Sequence, residues 1–279
     1  MAGQAVNHSI VRSDVERALA EDVGAGDCTA SLVPADSRLA TRVICRQEAI
    51  LAGRAWFDEA FRQHDPGILV DWSVDDSRPM APDQEICRVR GPARGILTGE
   101  RTALNFLQTL SGTATRTRKY VDAVAGTGAV ILDTRKTVPG LRLAQKFAVR
   151  CGGGANHRIG LYDAILVKEN HIAAAGSIAK AVERARRDHP LLLLEVEVET
   201  LEQLEDASVA GAQRVLLDNF TLDRLRLAVR HFKGRVELEA SGGITLETVR
   251  DVAETGVDFI STGDITKNVS AVDFSMRFV

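Results

Sequence analysis

Little in this chain suits a disulfide-built, membrane-spanning or nucleic-acid-binding protein. Its four cysteines, Cys28, Cys45, Cys87 and Cys151, are too few and too scattered for a disulfide framework, a zinc site or a redox pair. Aromatic side chains make up 5% of residues, which leaves no base-stacking platform. A formal net charge of −3 provides no overall attraction to nucleic acid or to an anionic membrane. No run approaches the roughly 18 apolar residues that a spanning helix needs. The opening stretch, MAGQAVNHSIVRSDVERALAEDVG, carries acids early and has no apolar core of signal-peptide length. A cytoplasmic protein is therefore expected. What is present is a core-forming composition, 45% hydrophobic and 26% charged, in a chain long enough for two ordinary domains or one barrel with an appendage.

Two textures divide the chain. Up to about Arg94 the pattern is mixed. A helix is expected over Val11 to Ala20, followed by short alternating runs such as Thr41-Arg42-Val43-Ile44-Cys45, with Pro66, Pro79, Pro82 and Pro92 at turns between short strands. This reads as a small α+β domain. Thr98 is expected to open a helix with Glu100 in its first turn, and Ala103, Leu104, Leu107, Leu110 and Ala114 recur at helical spacing as one buried stripe. Beyond about Gly126, apolar runs begin near Ala129, Ala164, Leu191, Gln213, Arg235 and Val257, at intervals of 35, 27, 22, 22 and 22 residues. Helical segments fill the gaps, over Ser177 to Asp188, Leu201 to Ala210, Leu222 to Phe232 and Leu246 to Thr255. Strand and helix alternating at that interval predict parallel βα units.

Polarity resumes at the same end of each run. AVILDTRKT, AILVKENH, LLLLEVEVET, RVLLDNF, VELEASGG and DFISTGD all pass from apolar into charged or glycine-bearing residues at their C-terminal ends. A doubly wound sheet would decorate only one switch point, whereas a (β/α) barrel places its site at all strand C-termini. The fold class expected is thus α/β, an incomplete barrel preceded by a small α+β sandwich. The boundary is placed between domains 1–110 and 111–279, with the last residues free to return to the first.

Charge is concentrated where the strands end. From Asp133 to His171 there are seven Lys or Arg and three Asp or Glu, a surplus of +4 in a net-negative chain. Arg135, Lys136, Arg158 and Lys168 sit at strand ends or in a glycine-rich loop, and an anionic substrate would explain them. Arginine suits planar carboxylates and lysine acts as a point charge. Arg142, Lys146 and Arg150 fall in a helix and are expected on its solvated face. Cys151-Gly152-Gly153-Gly154-Ala155-Asn156-His157-Arg158 matches neither a dinucleotide fingerprint nor a P-loop. His157 by itself reads as a structural hydrogen-bonder more readily than as a catalyst. Glu195, Glu197 and Glu199 alternate along one strand and share a face, where pairing with cations or a metal would offset the cost of burial, and Asp218 could join them. Ser241-Gly242-Gly243 and Ser261-Thr262-Gly263 end the last two strands, where barrels commonly cup a phosphate.

Longer motifs carry a family resemblance. Glu100-Arg101-Thr102-Ala103-Leu104-Asn105, Asp133-Thr134-Arg135-Lys136-Thr137-Val138-Pro139-Gly140, Gly153-Gly154-Ala155-Asn156-His157-Arg158 and Lys168-Glu169-Asn170-His171 resemble the signatures of quinolinate phosphoribosyltransferases. Glu195-Val196-Glu197-Val198-Glu199, Asp218-Asn219-Phe220 and Glu239-Ala240-Ser241-Gly242-Gly243-Ile244 continue the resemblance in order, over essentially the whole chain.

That resemblance implies transfer of a phosphoribosyl group from phosphoribosyl pyrophosphate to quinolinate with loss of CO2, in NAD biosynthesis. It also implies a seven-stranded incomplete barrel and a homodimer, or a hexamer built from it, whose sites borrow Arg101 from the neighbour. Quinolinate would be held by Arg101, Arg135, His157 and Arg158 with Thr134 beside them, and Lys136 and Lys168 would serve substrate and pyrophosphate charge. Glu197 and Asp218 would face the ribose hydroxyls and Mg2+, and the catalytic set would be Lys136, Lys168, Glu197 and Asp218. Ser241, Gly242, Gly243, Ser261, Thr262 and Gly263 would take the 5-phosphate, with Asp264 an unusual acid beside that cup. The competing readings are a Schiff-base aldolase using Lys168 and a same-fold paralogue acting on another aromatic acid.

Overall fold

The computed structural model describes residues 7–279, which form two compact units. The first comprises the chain up to Arg118 with Val138–Gly153 and Asn268–Val279, and the second comprises Lys119–Thr137 with Gly154–Lys267. In chain order, α1 (His8–Val23), β1 (Arg38–Cys45), β2 (Ala49–Ile50), α2 (Arg54–His64), β3 (Leu69–Trp72), β4 (Pro79–Met80) and β5 (Glu85–Pro92) lead into α3 (Ala93–Ala123). Next come β6 (Val130–Leu132), α4 (Arg142–Cys151), β7 (Ala164–Val167), α5 (Glu169–Ala175), α6 (Ile178–Asp188), β8 (Leu193–Val198) and α7 (Leu201–Ala210). The chain closes with β9 (Arg214–Asp218), α8 (Leu222–Phe232), β10 (Glu237–Ser241), α9 (Val249–Ala253), β11 (Phe259–Ser261), α10 (Asp264–Lys267) and β12 (Phe274–Phe278).

The first unit is built on an antiparallel sheet in the order β12-β1-β5-β3. Along β1, Thr41 and Val43 are buried and Arg42 is exposed, the alternation of a half-covered strand. A register shift between Val43 and Ile44 breaks that alternation, so Ile44 and Cys45 are buried together. Helix α1 is capped by Asn7, whose side chain accepts the N–H of Ser9. It is tied to α2 where the Trp56 indole donates to buried Asp14 at 3.1 Å.

Helix α3 begins at Ala93, directly after Pro92, and not at Thr98 as its acid and hydroxyl pattern suggested. Glu100 consequently lies beyond the first turn, where the helix dipole no longer acts on it. The stripe Ala103, Leu104, Leu107, Leu110 and Ala114 is buried as its spacing requires. Each of those leucines contributes roughly 1.5–3 kcal/mol by leaving water. In α4, Lys146 is 1% exposed, which corrects the expectation of a solvated face. Charge alone does not mark a solvated face, because a lysine stem can be buried as well as an apolar one.

The second unit is a parallel sheet in the order β6-β11-β10-β9-β8-β7. The first strand pairs with the last, β6 with β11, so the sheet curls as a barrel does. It stays incomplete beside β6. The seven strands implied by the family appear as these six and a single parallel bridge from Ala155 to Leu132. The helices α6, α7 and α8 all start on a hydroxyl cap: Ser177, Thr200 and Thr221 accept the N–H groups of Lys180, Gln203 and Arg224. Helix α9 is shorter than the expected Leu246–Thr255 and has no side-chain cap. Among the described residues, no helix is long and apolar enough to cross a membrane.

Candidate active site

A cavity of about 480 Å³ opens at the C-terminal ends of the parallel strands, within the usual range for small-molecule sites. It is lined by Thr134, Arg135, Lys136, His157, Arg158, Leu166, Lys168, Glu197, Leu216, Asp218, Glu239, Ser241 and Ser261. The pairs 166/168, 216/218 and 239/241 reveal why. Side chains two apart on a strand share a face, and each βα unit turns that face into the ring.

The cations gather on one side. Arg135 and Lys136 follow β6, and the Thr134 hydroxyl accepts the N–H of Lys136 at 3.0 Å. Thr266 donates to the Lys136 carbonyl at 2.7 Å. Arg158 is half-buried, and both burial and the nearby charge of Arg135 weaken its hold on its proton. Guanidinium groups remain charged under such shifts, so the observation marks an electrostatic field that favours an anion. Lys168 directly follows β7, and its ammonium pairs with Glu197. Its main-chain N–H is capped by His171 Nδ1 at 3.0 Å.

The acids face them from β8, β9 and β10. Asp218 accepts the side-chain amide of Asn219 at 2.8 Å. Asn219 is itself in the left-handed region, φ 55°, against Gly242. A Cβ on Gly242 would lie 2.2 Å from Asn219 Oδ1, so the position demands glycine. A Cβ on Gly263 would similarly come within 2.9 Å of Lys136 Cδ, which packs the second small-residue loop against the cationic side. Ser261 and Ser241 join the two loops by a 3.1 Å hydroxyl contact. Asp264, the unexpected acid, accepts the Tyr120 hydroxyl at 2.7 Å. Thr262 lies beside Ser261 and accepts the N–H of Asp264 at 3.2 Å.

Two residues that the sequence offered, His157 and Glu195, meet at the base of the cavity with one that it passed over, Glu239. Glu195 and Glu239 are 1% and 0% exposed, and both approach His157 Nε2, at 2.9 and 3.5 Å. Burial pushes the Glu195 and Glu239 carboxyls well above the ordinary range, and each is near the other's charge network. Glu195 Oε1 and both Glu239 oxygens are buried without a hydrogen bond among the described residues, a setting that favours the protonated form of these carboxyls. Arg214 supplies positive charge from below, 3.7 Å from Glu239, while its guanidinium lies over the Phe259 ring at 3.9 Å. Asp133 was also missed. Its buried carboxylate accepts the His157 N–H at 2.9 Å and the Asn156 amide at 2.6 Å, fixing the loop that carries Arg158.

Not every expected residue lines the cavity. Glu199 lies past the end of β8 and is exposed. Arg101 is exposed on α3 in the first unit. Gly242 and Gly243 line a smaller neighbouring pocket of about 240 Å³ with Ser241, on the α8 and α9 side of the loop. Two groups could hold a metal: Glu197 with Asp218, both open to the cavity, and the buried set His157, Glu195 and Glu239, whose ligand atoms lie within 4.8 Å of one another. Arg214 already stands beside the second set.

Known proteins share this fold and much of this sequence. The family model for the quinolinate phosphoribosyl transferase C-terminal domain matches residues 113–277, and that for its N-terminal domain matches 27–111. The probable nicotinate-nucleotide pyrophosphorylase (carboxylating) of Bacillus subtilis (strain 168) is 40% identical over 272 residues, 97% of this chain and 94% of that protein. The nicotinate-nucleotide pyrophosphorylase (carboxylating) of Mycobacterium leprae (strain TN) is 42% identical over 274 residues, 95% of this chain and 96% of that one. Among solved structures, the nicotinate-nucleotide pyrophosphorylase from Francisella tularensis superposes with a TM-score of 0.95 at 45% identity, covering 100% of this chain and 99% of that chain. With both domain models matched in order and these relatives aligned almost end to end, the chain belongs to the quinolinate phosphoribosyltransferase family.

Proposed function

We propose that this chain transfers the phosphoribosyl group of phosphoribosyl pyrophosphate to quinolinate, giving nicotinate mononucleotide, pyrophosphate and CO2 for NAD biosynthesis. The observation that carries this reading is the convergence of Arg135, Lys136, Arg158 and Lys168 opposite Glu197 and Asp218 around one cavity. Two guanidinium groups suit the two carboxylates of a pyridine diacid, and the ammonium groups suit a leaving pyrophosphate. Lys168 stands as a charged anchor against Glu197, which is not the setting of a Schiff-base nucleophile.

The chemistry follows from those placements. The bond from the anomeric carbon to pyrophosphate breaks as the ring gains oxocarbenium character, and Glu197 and Asp218 oppose that positive charge. Lys136 and Lys168 stabilise charge on the departing oxygens. The arginines hold the pyridine nitrogen against the anomeric carbon, replacing a bimolecular encounter by proximity. Once ribosylated, that nitrogen is cationic and stabilises the carbanion left on the adjacent ring carbon when its carboxylate leaves as CO2, and a proton from solvent then forms the C–H bond of the product, so loss of CO2 itself needs no protein base. Glu197 and Asp218 offer hard oxygen ligands beside the phosphate-binding loops, which fits Mg2+ shared with the substrate. When bound, that ion would neutralise pyrophosphate charge.

Ser241, Gly242, Gly243, Ser261, Thr262 and Gly263 are assigned to the 5-phosphate, and Arg101 to a neighbouring subunit's site in a cytoplasmic homodimer. The test is incubation with quinolinate, phosphoribosyl pyrophosphate and Mg2+. Nicotinate mononucleotide is the expected product. Turnover of another aromatic acid with quinolinate inert would replace this reading with that of a paralogue.

A further inference from the structure

His157 lines the cavity, yet its ring has both nitrogens engaged within the protein. Nδ1 accepts the main-chain N–H of Arg158 at 2.7 Å. An accepting ring nitrogen carries no proton, so a neutral imidazole bears it on Nε2. Nε2 in turn lies 2.9 Å from Glu195 Oε2 and 3.5 Å from Glu239 Oε2, on the buried side. The side chain is 8% exposed. A ring in that state has no N–H left to offer a substrate carboxylate. It is instead wedged between the buried glutamates and the backbone of the residue that carries the half-buried guanidinium.

We propose that His157 is a positioning residue, seated on Glu195 and Glu239, that sets the backbone and hence the guanidinium of Arg158. The inference rests on the reading of the cavity as the quinolinate site. Two-pronged recognition of a carboxylate tolerates displacements of only about 0.5 Å, so a loosened Arg158 loses affinity even though its charge is intact. Glu195 gives the means to separate this role from direct contact. It is buried and does not line the cavity, so it reaches the substrate only through its neighbours.

The experiment is a double-mutant cycle on the full-length protein with His157→Ala, Glu195→Ala and the pair, read as separate KM values for quinolinate and phosphoribosyl pyrophosphate. Each single change is expected to raise the quinolinate KM by about tenfold, and the pair by no more than either, as coupled residues behave. The phosphoribosyl pyrophosphate KM should move by less than about twofold, being set by other residues. Glu195→Gln keeps an acceptor oxygen, and His157→Asn keeps an acceptor for the Arg158 N–H. Both should recover most of the affinity lost in the alanine variants, which keeps the proposal testable if Glu195→Ala does not fold. A quinolinate KM unmoved by Glu195→Ala but raised by His157→Ala, or effects that multiply in the pair, would overturn it in favour of direct contact.

Nitrogen-15 NMR of histidine-labelled wild-type protein, assigned by the signal lost in His157→Asn, gives a readout independent of turnover. Nδ1 unprotonated and Nε2 protonated, with quinolinate causing no change, is the expected state. A proton gained or moved on either nitrogen when quinolinate is added contradicts the proposal. Failure of the wild-type protein to use quinolinate would defeat the underlying functional reading and leave this NMR result to judge the ring's local role.

Discussion

Arg158 and Arg135 differ in exposure, and that difference orders the expected losses. Arg158→Ala should weaken quinolinate binding by about 2–4 kcal/mol, as for removal of one partner of a charge pair that the ligand buries. Arg135 is exposed before binding and should lie toward the lower end of the same range. Isothermal titration measures both, and unchanged affinity in both variants would remove quinolinate from this cavity. Gly242→Ala tests the other wall. Its methyl group would displace Asn219, which orients Asp218. A misplacement of about 1 Å there should lower kcat/KM for phosphoribosyl pyrophosphate by about a hundredfold. Steady-state kinetics would read that loss, with quinolinate affinity largely preserved.

Strands and helices were legible to the extent that their patterns are periodic. The βα beat places all six parallel strands, because apolar runs ending in polar residues follow directly from burial below and solvent above. Helices α7 and α8 fall where a hydroxyl cap precedes a periodic segment. The start of α3 was misread because Pro92 is a stronger start signal than the Thr98 pattern, which sits inside the helix. Lys146 was misread because helical spacing says which residues share a face and does not say which face is covered.

Glu239 was discoverable. It shares a strand face with Ser241, two residues on, which the sequence marks as a candidate phosphate ligand. What sequence could not supply is the convergence of Glu195, Glu239 and His157 from separate segments. On helix α3, Leu107→Ala should cost roughly 2–5 kcal/mol, the usual loss for a fully buried leucine, measurable as a lower urea midpoint.

Taken as a whole, the molecule keeps acids buried under a cationic cavity, and that makes its stability depend on pH. The Glu239 carboxyl is pushed up to about 8, first by burial and then by the neighbouring Glu195. An unfolded glutamate titrates near about 4.3, so the folded state binds this proton more tightly. The contribution is fully present below the unfolded value and is lost as pH rises through about 8. The urea midpoint should therefore fall as pH rises from about 4.3 to about 8 and level off above it, and fall less in Glu239→Gln. Equal slopes in the two proteins would place the proton elsewhere.

The assignment of Arg101 to a neighbouring subunit makes a separate forecast. Arg101→Ala and Arg135→Ala chains, each impaired at low quinolinate concentration, should regain part of the activity when mixed under conditions where subunits demonstrably exchange. No recovery after exchange would return each site to a single chain.

Carbon release tests the chemistry most directly. Quinolinate labelled in the carboxylate adjacent to the ring nitrogen should release label as CO2 only when phosphoribosyl pyrophosphate is present, with one CO2 for each pyrophosphate formed. Label released without phosphoribosyl pyrophosphate, or pyrophosphate formed without label release, would contradict the account that ribosylation of the nitrogen drives decarboxylation in this cavity.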